Sequence, residues 1–319
     1  MTHTLVTGGA GFIGSHIVEE LLRNGSSVRV LDNFSTGKRE NLRFDRPSEV
    51  DHSSTQGRLE ILEGDLRDAE LVKAAMRDIE LVFHLAAFVS VSQSMSDPED
   101  CFTINVAGTQ ALLEAARQAG VRKVVLSSST AVYGDTDKFP TDEGTSLQPL
   151  SPYALSKQVN ELYAHLYTRT FNLPVIALRY FNVYGPRQRP DSDYAAAIPI
   201  FVRHLVAGES IAIYGDGKQS RDFIFVKDVV RANLLAAKSD VAGEAFNVCT
   251  GRETTLLDLL EELSEASSHQ PEVRFEAPRP GDIYRSLGNP QKASAALGFR
   301  AETSLAEGLK QTVEWMKDK

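Results

Sequence analysis

Thr4-Leu-Val-Thr7 runs straight into Gly8-Gly-Ala-Gly-Phe-Ile-Gly14, and an amphipathic pattern from Phe12 to Arg23 follows. A short apolar run that leads through spaced glycines into a helix is a βα turn. Glycine lets the backbone turn tightly and approach a phosphate, while the helix start offers free N–H groups and a positive dipole end. Ser27 to Leu31 reads as the next strand, and Asp32 closes it. A carboxylate there accepts hydrogen bonds from a ribose diol and repels a 2′-phosphate. The stretch therefore predicts a dinucleotide site that favours NAD over NADP, with Gly8, Gly11, Phe12, Ile13, Asp32 and Asn33 around it. Asp65 follows the third strand with Leu66, placed either for the adenine or as an ordinary helix cap.

The same alternation continues outward. Leu59–Leu62, Glu80–His84, Lys123–Ser127 and Pro174–Leu178 read as strands. Ala69–Met76, a long pattern from Asp97 through Ala119, and Pro152–Phe171 read as helices. Short apolar strands alternating with amphipathic helices predict an α/β fold, a Rossmann-type doubly wound parallel sheet. After Arg179 the rhythm breaks at Gly185-Pro-Arg187, Gly215-Asp-Gly217 and Arg279-Pro-Gly-Asp282, with helical patterns at Ile198–Ala207, Leu256–Ala266 and Leu305–Lys317. We expect a smaller mixed α/β carboxy-terminal lobe over 181–222 and 250–319, with 1–180 and about 223–249 forming the nucleotide domain. Arg46 to Gln56 reads as a polar surface loop.

Composition bounds the rest. A net charge of -9 without a basic stripe argues against nucleic acid as a partner. No apolar run approaches the roughly 18 residues that span a bilayer, so no membrane partner is expected. Cys101 and Cys249 have neither disulfide nor metal spacing, and no metal site is expected. With no signal-peptide pattern at its start, the chain is expected to be cytoplasmic.

Ser127 to Lys157 carries the chemistry. Tyr153-Ala-Leu-Ser-Lys157 puts a phenol and an ammonium on one helical face. A fixed positive charge lowers a tyrosine toward neutrality, which would make Tyr153 a base. Ser129 is the hydroxyl to pair with it, just past a strand end where doubly wound sheets place ligands. Ser127 and Ser128 are assigned to backbone or cofactor contacts.

These motifs, in this order, resemble the extended short-chain dehydrogenase/reductase superfamily and, within it, the nucleotide-sugar epimerases. The resemblance covers nearly the whole chain. It rests on Thr7–Gly14, Asp32-Asn33, Gly64-Asp65, His84-Leu-Ala-Ala87, Asn105, Ser127–Gly134, Tyr153–Lys157, Arg179–Pro186 and Arg279–Asp282. It implies a cofactor lined by Leu85, Ala86, Ala87, Asn105, Ser127 and Tyr180, with Lys157 on the nicotinamide ribose. Asn182, Arg221 and Arg279 would grip the substrate diphosphate, and Val89, Ala197, Ile198, Tyr214, Asp282 and Ser286 complete the substrate set. A homodimer through the helices around Asp97–Ala119 and Pro152–Phe171 is likewise implied.

By the same resemblance Tyr153 takes the proton from a sugar 4-OH while Ser129 holds the oxygen. NAD, tightly bound and regenerated each turnover, accepts and returns the hydride through a 4-keto sugar. Sister dehydratases carry an Asp-Glu pair after the active-site hydroxyl, and sister decarboxylases a Glu at the second position. Thr130 and Ala131 stand there in this chain, which disfavours both reactions. Epimerases confined to UDP-glucose and UDP-galactose place a Tyr four residues after the Asp of the Arg-x-Gly-Asp turn. The equivalent here is Ser286, small enough for a 2-acetamido group, unless Tyr284 reaches into the pocket instead. The expectation is an NAD-dependent UDP-hexose 4-epimerase of galactose metabolism that also accepts the UDP-GlcNAc/UDP-GalNAc pair. Arg187-Gln-Arg-Pro190 is similar to the UDP-glucuronate 4-epimerases, which keeps that substrate, or net sugar oxidation, as the alternative.

Overall fold

The structure, a computed structural model, describes residues 3–44, 58–190, 197–267, 269–278 and 283–319. The expected loop Arg46–Gln56 and the turn Arg279–Asp282 lie outside the described residues. The chain opens with β1 (His3–Thr7), α1 (Phe12–Arg23), β2 (Ser27–Asp32), β3 (Leu59–Glu63), α2 (Ala69–Ala75) and β4 (Leu81–His84). It continues through α3 (Val91–Ser96), α4 (Pro98–Phe102), α5 (Gly108–Gln118), β5 (Lys123–Ser129), α6 (Pro152–Phe171) and β6 (Val175–Tyr180). Next come β7 (Asn182–Tyr184), α7 (Ala197–Ala207), β8 (Ile211–Tyr214), β9 (Ser220–Arg221), β10 (Phe223–Phe225), α8 (Val226–Lys238) and β11 (Glu244–Val248). The chain ends with β12 (Thr254–Thr255), α9 (Leu256–Ser267), β13 (Val273–Glu276), α10 (Gln291–Leu297) and α11 (Leu305–Lys317).

Seven strands form one parallel sheet in the order β11-β6-β5-β4-β1-β2-β3, the doubly wound topology expected. β4 and β6 are buried along their whole length, which explains the apolar runs Leu81–Phe83 and Val175–Leu178 within them. β3 at the edge has no fully buried residue. One face of the sheet is sealed by Leu5, Leu31, Val82, Val124 and Val175 against Val72, Leu112, Leu113, Ala116 and Tyr167.

Two compact units divide the chain. The first holds Met1–Gly134, Leu147–Arg179 and Val230–Phe246, and the second holds Asp135–Ser146, Tyr180–Val229 and Asn247–Lys319. The sequence reading assigns 135–146 to the nucleotide domain, yet the chain clusters them with the second unit. Backbone bonds account for this: Thr141 donates to the Leu287 carbonyl at 2.8 Å, and Asn289 donates to the Thr141 carbonyl at 2.9 Å. Within the second unit, the described residues form three two-stranded pairs, β10-β7, β12-β9 and β13-β8.

The long helix expected from Asp97 to Ala119 is in fact three segments. Between α4 and α5 the turn Thr103–Ala107 widens to a π-helix. Asn105 sits in it, buried, with its side chain spent on other elements, and such widened turns gather at functional sites. α6 is regular: Ser151 caps it by accepting from Ala154 at 3.1 Å, Pro152 fills its first turn, and Asn172 ends it in the left-handed region. A serine cap is worth about 1 kcal/mol, which helps fix where α6 starts.

Candidate active site

At the β1–α1 turn Gly8 has φ +67, and a Cβ there would lie 2.6 Å from the Ala86 nitrogen. A Cβ on Gly14 would lie 2.1 Å from the Gly8 carbonyl oxygen. The loop can fold this tightly only with glycine at both places. Gly11 caps α1 without a side chain, so the first-turn N–H groups of Phe12 and Ile13 form an anion-binding end. Asp32 is buried beside it. Its Oδ2 accepts from Ala10 N–H and its Oδ1 from Phe34 N–H, both at 2.8 Å. Burial pushes its carboxyl above the ordinary value, and these two backbone donors oppose that rise. Such a cradle, anion-binding at one end and acidic at the other, fits a pyrophosphate and an unphosphorylated ribose, as NAD requires.

Sequence reasoning missed what braces this loop. The Ala10 carbonyl accepts from Asn41 Nδ2 at 2.9 Å and from the Lys38 backbone at 3.0 Å. Asp65 is not a helix cap: Asp68 caps α2, accepting from Glu70 and Leu71. Arg67 holds Asp65 through two side-chain bonds and its backbone N–H, and Asn33 adds another at 2.9 Å. The Arg67 hydrogen bond is the chief reason its carboxyl falls to about 2. Leu66 is buried, and Leu85, Ala86 and Ala87 are half-buried after β4. Asn105 accepts from Phe88 N–H at 2.7 Å and donates to the Phe88 carbonyl at 3.0 Å and to Ser156 Oγ at 2.9 Å. It therefore pins the segment after β4 to α6. Thr7 and Thr109 bracket buried His84 at 2.7 and 2.9 Å. Burial, with a smaller push from Lys157, lowers His84 to about 3 and keeps it neutral.

The structure brings Ser129, Tyr153 and Lys157 together in the first unit. Ser129 ends β5, its hydroxyl accepts from Ala131 N–H at 3.2 Å, and it lies near enough to the Tyr153 phenol to favour its ionised form. Lys157 Nζ lies 5.8 Å from the Tyr153 ring centroid. The same ammonium donates to the Ser127 carbonyl at 3.0 Å. Here one expectation is corrected: Tyr153 sits above the ordinary tyrosine value rather than below it. Burial raises it, the Ser129 bond lowers it in part, and nearby Cys101 raises it further. Lys157 does not offset this, because its charge faces Ser127 and burial has itself lowered Lys157 to about 8.

The second unit gathers several expected substrate residues around β9. Asn182 donates through its backbone and side chain to the Asp222 carbonyl at 3.1 and 3.3 Å. Arg221 Nη1 donates to the Ser220 carbonyl at 2.8 Å, and Ser286 N–H donates to the same carbonyl at 3.1 Å. Asp222, which the sequence did not single out, accepts from Thr250, Gly251 and Gly288 and ties three segments there. Ser286 is half-buried, whereas Tyr284 is 59% exposed and its phenol turns to Asp216. Tyr214 and Ala197 are half-buried, and Ile198 is fully buried in α7, while Tyr180 is buried and Val89 in the first unit is exposed. Arg279 and Asp282 lie outside the described residues.

A glycine cradle answered by Asp32, with a serine, tyrosine and lysine at the next strand end and helix, defines a short-chain dehydrogenase/reductase. Comparison with known proteins narrows that class. Residues 4–249 match the NAD dependent epimerase/dehydratase family, and the chain belongs to it. A UDP-glucose 4-epimerase from Mycolicibacterium smegmatis is 42% identical over 99% of both chains. The solved UDP-glucose 4-epimerase of Thermotoga maritima, with UDP-glucose, superposes with a TM-score of 0.91 at 40% identity, covering 99% of each chain. A UDP-N-acetylglucosamine 4-epimerase from Methanobrevibacter ruminantium, in complex with UDP-N-acetylmuramic acid, gives a TM-score of 0.91 at 39% identity, covering 99% of this chain and 98% of that one.

Proposed function

We propose that the chain is an NAD-dependent 4-epimerase of UDP-hexoses that interconverts UDP-glucose with UDP-galactose and UDP-GlcNAc with UDP-GalNAc. The observation that carries this reading is a Tyr153 phenol beside Ser129, with Thr130 and Ala131 at the first two positions of the turn that follows. With NAD as the hydride acceptor, a base and an oxygen-holding hydroxyl are the side chains needed to oxidise and re-reduce C4. Neither Thr130 nor Ala131 can supply the acid–base pair that dehydration needs. Bound NAD supplies the hydride acceptor and a positively charged ring. Tyr153 takes the proton from the 4-OH and returns it, and Ser129 holds that oxygen on both strokes. Lys157 has three donors, of which two point at the Ser127 oxygens, leaving one for a ribose hydroxyl. Asn182, Arg221 and Arg279 hold the diphosphate, where the planar guanidinium fork suits phosphate oxygens.

NMR of the purified protein with UDP-glucose, UDP-GlcNAc and UDP-glucuronate tests this. The first two should interconvert with their galacto forms, and Ser286→Tyr should keep UDP-glucose turnover while cutting UDP-GlcNAc turnover at least about tenfold. Turnover of UDP-glucuronate alone would overturn the substrate assignment in favour of its 4-epimerase. Equal loss on both sugars in Ser286→Tyr would remove Ser286 from the pocket wall.

The same reading includes a homodimer. Met95 on α3, Phe102 on α4 and Leu162 on α6 are 63%, 58% and 64% exposed, and Leu155 and Leu166 extend the α6 face. A stripe of large apolar side chains across adjacent helices supports a partner copy there. Leu162→Asp should shift the protein from dimer to monomer mass in analytical ultracentrifugation. A monomeric parent would end this part of the proposal. Among the described residues no helix is long and apolar enough to cross a membrane. The free cysteines Cys101 and Cys249 support a reducing, cytoplasmic setting.

A further inference from the structure

The strand end that presents Ser129 is tied to α6 at a second point. Ser127, Ser128 and Ser129 close β5. The Ser127 carbonyl takes the Lys157 ammonium, and Ser129 meets the Tyr153 phenol. Ser128 donates to Glu161 Oε1 at 2.5 Å, one turn further along the same helix. Glu161 also accepts from Arg179, at 2.9 Å from Nε and 2.6 Å from Nη2, and Arg179 Nη1 donates to the Tyr133 phenol at 2.7 Å. The Arg179 and Glu161 side chains are only 5% and 9% exposed.

Glu161 lies on α6 four residues after Lys157 and eight after Tyr153, so the three share one stripe of the helix. One carboxylate therefore ties the helix of the base to the strand of its hydroxyl partner. Stability alone is a poor account of this pair. Burying two charges costs desolvation that packed apolar residues would avoid. The other titratable groups facing Tyr153 and Lys157 are Cys101 from α4 and His84 from β4, and neither makes a bond to the β5 end.

We propose that Glu161, acting through Ser128 and with Arg179, is a positioning residue that fixes the spacing between Ser129 and the Tyr153–Lys157 face. This rests on the epimerase reading above. Displacing reacting groups by about 1 Å can cost 10²-fold in rate with little effect on binding, which sets the expected signature.

Two variants test it on the holoenzyme. Ser128→Ala removes one hydroxyl and leaves the Glu161–Arg179 pair intact. The double variant Glu161→Met/Arg179→Met removes both charges together, so no buried charge is left uncompensated. Both should keep bound NAD and a KM for the UDP-sugar within about twofold. The kcat should fall about tenfold in the first and about 100-fold in the second. In both, the Tyr153 phenol, followed by 13C NMR of labelled tyrosine, should titrate at higher pH as its Ser129 bond weakens. Parental kcat with an unmoved Tyr153 titration would overturn the proposal. Loss of NAD, or a KM rise that accounts for the whole effect, would also overturn it and leave the pair merely structural. If the parent turns over no UDP-sugar, the epimerase reading fails, and the Tyr153 titration alone decides the role of Glu161.

Discussion

Tyr153→Phe is expected to lower kcat about 10³-fold or more, while NAD stays bound and the fold is unchanged. General acid–base catalysis by a positioned side chain contributes about 10²- to 10⁴-fold, and this substitution removes the proposed base outright. The aromatic ring remains, so the packing of α6 near Lys157 is kept. No neighbour can take over. Ser129 is a neutral hydroxyl engaged with Ala131, and buried Cys101 has its thiol raised chiefly by desolvation. His84 bonds Thr7 and Thr109 away from this hydroxyl. The measurement is NMR turnover of UDP-glucose together with the cofactor content of the purified variant. A kcat within tenfold of the parent would remove Tyr153 from the role of base. Ser129→Ala should lose less, because it removes one hydrogen bond to the reacting oxygen rather than the proton acceptor.

Much of this arrangement was legible before any coordinates, and the pattern of misses is physical. The βα rhythm survives in sequence because strands buried on both faces are predominantly apolar, as Leu81–Phe83 of β4 and Val175–Leu178 of β6 are. Gly8 and Gly14 were readable because no other residue fits their contacts. Asn105 was found by resemblance, but the π turn around it was not, since a helix widened by one residue keeps its apolar periodicity. The helix Val91–Ser96 was missed although Ser90 and Gln93 form a capping signal, with Gln93 N–H donating to Ser90 Oγ at 3.1 Å. Asp222 and Glu161 were invisible for a different reason. Each acts through partners distant in sequence, Thr250 and Gly288 for one and Ser128 and Arg179 for the other. The ionisation of Tyr153 was misjudged because helix spacing shows that Lys157 is near but not where its ammonium points.

That ammonium carries the second large effect, and its sign can be worked through. Burial, the leading cause, holds Lys157 at about 8, against partial compensation from Cys101 and Glu161. A depressed lysine is charged below its own value and neutral above it. The ammonium charge proposed to hold the cofactor ribose is therefore present at pH 7 and lost as pH rises through about 8. The kcat profile should accordingly fall on its alkaline side near that pH. Lys157→Met should lower kcat at pH 7 by about 10²- to 10³-fold, a share comparable to one acid–base group. It should also abolish the alkaline fall, because the group that titrates there is gone. Cofactor retention should weaken as well if the third ammonium donor holds a ribose hydroxyl, whereas Tyr153→Phe leaves that donor in place. The two variants thus separate proton transfer from cofactor anchoring. A Lys157→Met enzyme that keeps the same alkaline limb would assign that limb to another group and leave Lys157 with a binding role alone.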